Sequence, residues 1–344
     1  MKVDDLCELF DRQAFPEAHV REHPDRDAVL AARSAITSAV SDDEFLVDCM
    51  AYELIRLQQP GLRPGLVPFF TVPGFGVRFA LGYWPPGRNA GAHEHTAWTI
   101  TAVCHNELTV QTYDRNESYR RGTLVPKNRF DARAGRVGFI YEPCIHDPRN
   151  PTDRWSLSLH VSSPRDGEKL ADQEQCLPIL DEYFARQRTG YGAPYNEVIA
   201  TRRRQLKIRA IAQFLAQVDT VPVAGLLERC VQQGSTATRR FIHGLGRNDL
   251  TKAGRPTART LARSHEKLAL DYRETGDYVA LGVETPRGWV EELAVSSFAR
   301  EAIAFCVRTP RFDVQELPGL TEDERWAIAD ALEESGLFTV DAGE

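Results

Sequence analysis

The chain of 344 residues is long enough for one large or two ordinary domains. Its 42% apolar and 26% charged residues, with no uncharged apolar run of membrane-spanning length, place it among globular proteins and exclude a transmembrane helix. The net charge of −7 hides an asymmetry, with residues 201–267 basic and 268–344 acidic; basic helices beside an acidic tail explain this more simply than nucleic acid does.

The first residues, Met1-Lys2-Val3-Asp4-Asp5, lack the apolar core of a secretory signal. Seven scattered cysteines with no C-x-x-C pair argue against a disulfide framework and a zinc ribbon, so a reduced, cytoplasmic protein is expected. Residues 1–66 read as a helical layer. One helix runs from Asp27 to Ala39, and Ser41-Asp42-Asp43-Glu44 caps a second that ends near Gln59, before Pro60-Gly61.

From 67 to 170 the pattern becomes short strands. Val77, Phe79, Leu81 and Tyr83 alternate with Arg78, Ala80 and Gly82, which is period two. Thr99–Val103 and Leu108–Tyr113 follow, joined at His105-Asn106, where Asn tolerates positive φ. Arg136–Tyr141 and Trp155–Val161 supply two more strands, and together they indicate an all-β barrel or jelly roll. Beyond 170 the chain reads as mainly helical, with candidates at Gln175–Gln187, Val198–Val218, Val221–Gln232, Thr236–Leu245 and Thr257–Leu270. A hairpin around Thr285–Gly288 makes this part compatible with a winged-helix-like module, and a helix from Glu322 to Glu334 stops at Ser335-Gly336. The expected class is α+β, with domains at 1–66, 67–170 and 171–344.

Within the strand region, His93-Glu94-His95 puts two imidazoles on one face of a strand. A third, His146 after Pro143-Cys144-Ile145, closes a set of three neutral nitrogen ligands from a neighbouring strand. Residues 96–106 contain no carboxylate. Iron(II) so held keeps its full charge and open positions for a chelating substrate and dioxygen, whereas zinc with a water would point to hydration or hydrolysis. His160 is either a proton relay or a core histidine satisfied by Ser158. Cys104 and Cys144 read as small buried residues, not nucleophiles, and Trp98, three residues past His95, is placed to line a pocket mouth.

Gly91-x-His93-x-His95, His146 and the run from Ser156 through Ser158, His160 and Ser162 to Pro164 resemble the cupin superfamily, and within it the cysteine dioxygenase (thiol dioxygenase) family. The resemblance covers about residues 69–164. It implies a β-barrel with three histidines on Fe(2+), a small thiol bound through sulfur, and insertion of both atoms of O2 to give a sulfinic acid. It also implies a role for the Ser158–His160 pair in orienting a tyrosine. This chain departs from that pattern. Ser162 stands where the family has the tyrosine, Ile100 near where some members have the crosslinked cysteine, and neither Arg63 nor Arg78 sits in the motif of the carboxylate-binding arginine. No glycine separates Pro143 from His146.

The leading expectation is therefore a non-haem iron(II) dioxygenase acting on a small metal-chelating substrate, best a thiol such as cysteine. Alternatives are a three-histidine oxygenase acting on another amino acid derivative in specialised biosynthesis, and a ligand-sensing regulator whose C-terminal region binds nucleic acid. A zinc lyase or isomerase is a third. No membrane partner is expected; a homodimer is one use the C-terminal region would serve.

Overall fold

The computed structural model describes residues 2–13, 15–20, 22–58, 68–168, 193–218, 225–226, 258–285 and 288–341. The chain divides into two compact units, one of Met1–Pro60, Leu66–Arg188 and Ala210–Thr251, the other of Gly61–Gly65, Thr189–Arg209 and Lys252–Glu344. Among the described residues no helix is long and apolar enough to cross a membrane.

The first unit opens with three helices, α1 (Asp5–Arg12), α2 (Arg26–Ala39) and α3 (Asp43–Gln58), followed among the described residues by nine strands and one short helix between the fifth and sixth of them. These are β1 (Phe70–Thr71), β2 (Arg78–Trp84), β3 (His93–His95), β4 (Thr99–His105), β5 (Glu107–Tyr113), β6 (Pro126–Arg133), β7 (Val137–Ile140), β8 (Cys144–Arg149) and β9 (Ser156–Ser162). They form two sheets, ordered β1-β2-β9-β4-β7 and β3-β8-β5-β6, antiparallel throughout. Neighbours in each sheet come from distant parts of the chain, which is the strand order of a jelly roll. The expected α+β class, with a helical layer on a jelly roll, is what the first unit contains.

Period two decides what each face does. On β2 and β9 the row Phe79, Leu81, Leu157, Leu159 and Val161 is buried. It points at the helical layer: Phe10 of α1 meets Phe79 edge-on at 6.1 Å, and Arg33 of α2 donates to the Val137 carbonyl at 2.8 Å. The other row, Ala80, Gly82 and Trp84 with Ser158 and His160, faces the barrel interior. Register holds this in place, with Ala80 and Thr101 both opposite His160, and Gly82 and Val103 both opposite Ser158. Both faces of this sheet are covered, but only the row toward the helices is continuously apolar; the inner row carries glycine, serine and histidine, so β9 reads Ser-Leu-Ser-Leu-His-Val-Ser. The β4–β5 hairpin turns at Asn106 with φ 57°, as its residue type predicts. Two elements carried no sequence signal. β6 is an edge strand exposed along nearly its whole length, and α4 (Arg115–Arg121) is only two turns long, capped by Asp114 at its start and by Gly122 at its end.

The second unit contains the start of α5 (Ala193–Gln217), then β10 (Thr260–Arg263), β11 (Leu270–Thr275), β12 (Tyr278–Thr285), β13 (Gly288–Ser296), α6 (Arg300–Arg308), β14 (Arg311–Asp313), α7 (Glu322–Glu334) and β15 (Phe338–Val340). They make two three-stranded sheets, β14-β10-β15 and β11-β12-β13, on a core that includes Leu261, Leu281, Ile303, Trp326 and Leu332. The hairpin and the last helix lie where the sequence put them. The helix expected over Thr257–Leu270 is a correction: Thr260–Arg263 is a central strand paired on both sides, and that pairing overrides the helical preference of Leu-Ala-Arg. The helices expected at Gln175–Gln187 and Thr236–Leu245, and almost all of Val221–Gln232, lie outside the described residues.

Candidate metal centre

The three histidines singled out in the sequence come together. β3 pairs with β8 so that His93 lies opposite His146 and His95 opposite Cys144. Ring centroids are 4.5 Å apart for His93 and His146, 4.9 Å for His95 and His146, and 5.3 Å for His93 and His95. One nitrogen from each lies within 4.8 Å of the others. Burial lowers the His93 pKa to about 4 and, with the neighbouring His93 and His95 rings, holds His146 well below the usual histidine value. Both therefore present neutral imidazole at neutral pH, the form that ligates a metal.

The partners of these rings fix which nitrogen points inward. Asn89 Oδ1 accepts the Gly91 N–H at 2.8 Å, and Gly91, at φ 82°, turns its carbonyl onto His93 Nδ1 at 3.0 Å. A carbonyl only accepts, so the proton sits on Nδ1 and the lone pair on Nε2. His95 Nδ1 lies 2.7 Å from Asp166 Oδ2, which assigns the same tautomer. Burial works to raise the Asp166 pKa, but the hydrogen bond from His95 and the Thr96 N–H at 3.0 Å bring it below the usual carboxylate range. Asp166 is therefore an ionised carboxylate that orients a candidate ligand histidine without belonging to the candidate set, an arrangement typical of metal sites. Sequence reasoning missed it because it lies 71 residues from His95. The signal was in the strand pairing: Thr99 opposite Ser162 brings the segment after β9 beside the segment before β4.

Arg78, considered as a substrate carboxylate binder, has another task. Its guanidinium donates to the carbonyls of Ser163 at 2.7 Å and Asp166 at 3.1 Å, clamping the loop that carries Asp166. Arg63 lies outside the described residues. On the opposite face of β3, Glu94 is buried with its side chain fully covered; Arg115 Nε donates to it at 2.5 Å and the Tyr119 hydroxyl at 2.6 Å, both from α4. This anchor behind the histidine strand also went unread in the sequence.

Ser158 and His160 are adjacent as expected, and a tryptophan completes the group. Trp84 Nε1–H donates to Ser158 Oγ at 2.7 Å, and Ser158 Oγ lies 2.8 Å from His160 Nε2. Since the indole only donates, the serine accepts from it, and the tautomer of His160 sets which of Ser158 and His160 donates in the second bond. Gly82 makes this approach feasible, as a Cβ there would sit 2.7 Å from Ser158 Oγ and 2.9 Å from both His160 Nε2 and Trp84 Nε1. His146 and His160 both line a cavity of about 310 Å³ inside the barrel. Trp98 does not: it packs on Phe15 at 5.2 Å and lines a separate cavity. Burial pushes the Cys104 thiol up to about 12 and raises that of Cys144, so neither is a ready nucleophile.

No protein-family model matches this sequence, and no curated protein matches it. Solved structures do. A cupin superfamily protein from Desulfitobacterium hafniense is 15% identical over 25% of this chain and 66% of its own, with a TM-score of 0.20. Bacillus subtilis oxalate decarboxylase, described for its Mn(II) centres, is 15% identical over 26% of this chain and 22% of its own, with a TM-score of 0.22. An oxalate oxidase in complex with the substrate analogue glycolate is 21% identical over 27% of this chain and 46% of its own, also at 0.22. The matched region spans less than two thirds of each of these three proteins, and the jelly-roll assignment stands on the strand order described above.

Proposed function

We propose that the first unit is a non-haem iron(II) dioxygenase in which His93, His95 and His146 hold Fe(2+) through Nε2 and a small chelating molecule and dioxygen are the substrates. The observation that carries this reading is the convergence of three imidazoles, two of them with the Nδ1 proton placed by Gly91 and Asp166, beside a barrel cavity that His146 lines. The donor set fits the ion: three nitrogens and no carboxylate leave coordination positions for substrate. Iron(II), when bound, supplies the dioxygen chemistry that no side chain here provides.

The remaining roles belong to the chain. The mainly apolar walls of the cavity put hydrocarbon around the reacting groups. Asp166 and the Arg78-clamped loop hold His95 in its orientation. Ser158 and His160 share an exchangeable proton in the hydrogen bond between Oγ and Nε2, at the cavity that His146 also lines. The resemblance to thiol dioxygenases supports sulfur as the chelating atom. The overall change then balances without a reductant: R–SH + O2 gives R–SO2H, both oxygen atoms ending on sulfur.

Metal analysis of the purified protein, followed by oxygen uptake with added iron(II) and thiol, tests the proposal. The expected result is about one iron per chain and thiol-dependent oxygen consumption, both lost in His146→Ala. Turnover with zinc and without oxygen would instead mark a lyase or isomerase and overturn it.

A further inference from the structure

The cavity beside the candidate centre is more selective than a generic small-thiol site. It holds about 310 Å³, at the low end of the roughly 300–1,000 Å³ usual for ligand pockets. Its walls are mostly hydrocarbon, including Trp84, Val103, Leu108, Val110 and Ile140. Threonine hydroxyls, the Cys144 thiol and the two histidines are its polar groups; no carboxylate lines it, and the single charged residue, Arg136, is exposed. The arginine that sequence reasoning offered for a substrate carboxylate, Arg78, is engaged with two backbone carbonyls and is not among the lining residues.

A zwitterion placed here would leave its ammonium against an apolar wall with no carboxylate to meet it, and only the exposed Arg136 at the edge to meet a carboxylate away from the metal, an arrangement that is disfavoured. A hydrocarbon body gains from the same wall in proportion to the area it covers. A head group with one negative charge is the exception, because a cation held by three neutral ligands supplies the opposite charge.

We infer that the site takes a molecule with one anionic metal-binding head, such as a thiolate, and an uncharged, mainly hydrocarbon body, and that it discriminates against free cysteine. The inference rests on the three-histidine reading for the head group and on the cavity walls for the body.

The test is calorimetric titration of the full chain, metal-free and loaded with redox-silent zinc, using butanethiol, hexanethiol and cysteine. The expected order is hexanethiol over butanethiol over cysteine, with affinity rising roughly fourfold per methylene and zinc strengthening all three. Val110→Trp, which fills the cavity, is expected to remove the hexanethiol preference while zinc affinity stays as in the parent. Should that variant fail to fold, Val110→Ala is expected to weaken butanethiol more than hexanethiol. Cysteine binding as tightly as butanethiol, or no dependence on chain length, overturns the inference. The order persisting without metal while zinc fails to bind would sustain the apolar pocket and sink the metal reading.

Discussion

Asp166 is the residue on which the geometry of the centre turns most directly. It accepts from His95 Nδ1 and the Thr96 N–H while its own carbonyl accepts from Arg78, so ring orientation, tautomer and loop position are tied to one side chain. Asp166→Asn keeps the shape but replaces an ionised acceptor with an amide that must present its oxygen to a ring N–H. The expected outcome is a metal affinity lower by roughly 10- to 100-fold, read by competition against a chromophoric chelator, with the fold retained. An unchanged affinity would reduce Asp166 to a loop anchor. Gly82 sets a second limit at this scale: Gly82→Ala puts a methyl group against Ser158, His160 and Trp84 at once. It is expected to cost about 1–3 kcal/mol in chemical denaturation and to perturb Trp84 fluorescence, since overpacking a closed cluster forces side chains off their rotamers. His93 and His95 were legible as candidate ligands because H-x-H in a strand is a local pattern, and His146 as the histidine a neighbouring strand could add to them. Asp166 and Trp84 were not, because each acts through a neighbour supplied by strand pairing.

At the scale of elements, β3 is three residues long and sits at a sheet edge, yet it carries two of the three candidate ligand histidines. Its inner face points to the centre and its outer face is held by α4 through Glu94, Arg115 and Tyr119. With Glu94 fully covered and Arg115 only 16% exposed, this is a buried charge pair, whose net contribution is small but whose disruption is costly. Arg115→Met leaves the carboxylate without its cation and is expected to destabilise the first unit by about 3–5 kcal/mol. The double variant Arg115→Met/Glu94→Gln should recover most of that loss. Single and double variants equally destabilised in urea melts would show that Arg115 acts by packing alone. Helix α7 was the most legible element, since Thr321 and Glu324 form the capping box their spacing announces and Gly336, at φ 76°, ends the segment. α4 and β6 were illegible for a physical reason: one is too short for periodicity and the other is exposed on both faces, so neither leaves an apolar pattern.

For the molecule as a whole, all four residues of the candidate centre, His93, His95, His146 and Asp166, belong to the first unit: the histidines sit on two strands joined by register, and Asp166 on the loop after β9 that reaches His95. The class was readable because alternation in the strands and 3.6-residue spacing in the helices reflect which faces are covered. The second unit's sheets were only partly readable, because the pairing of β10 between β14 and β15 depends on segments about 50 and 77 residues away. A metal that binds the native site and not the unfolded chain must stabilise the unit that contains it. At free metal one hundred times the dissociation constant the gain is about 2.7 kcal/mol. Hydrogen exchange followed by mass spectrometry should therefore show slower exchange in β4, β8 and β9 on addition of iron(II) or zinc, reversed by a chelator and absent in His93→Ala. Thr321→Ala, which removes the α7 cap, is expected to cost about 1 kcal/mol in the second unit and to leave metal affinity as it was, since that unit holds none of the ligands. Exchange in β8 that ignores the metal while the protein still binds it would place the ion elsewhere and remove the three histidines from the mechanism.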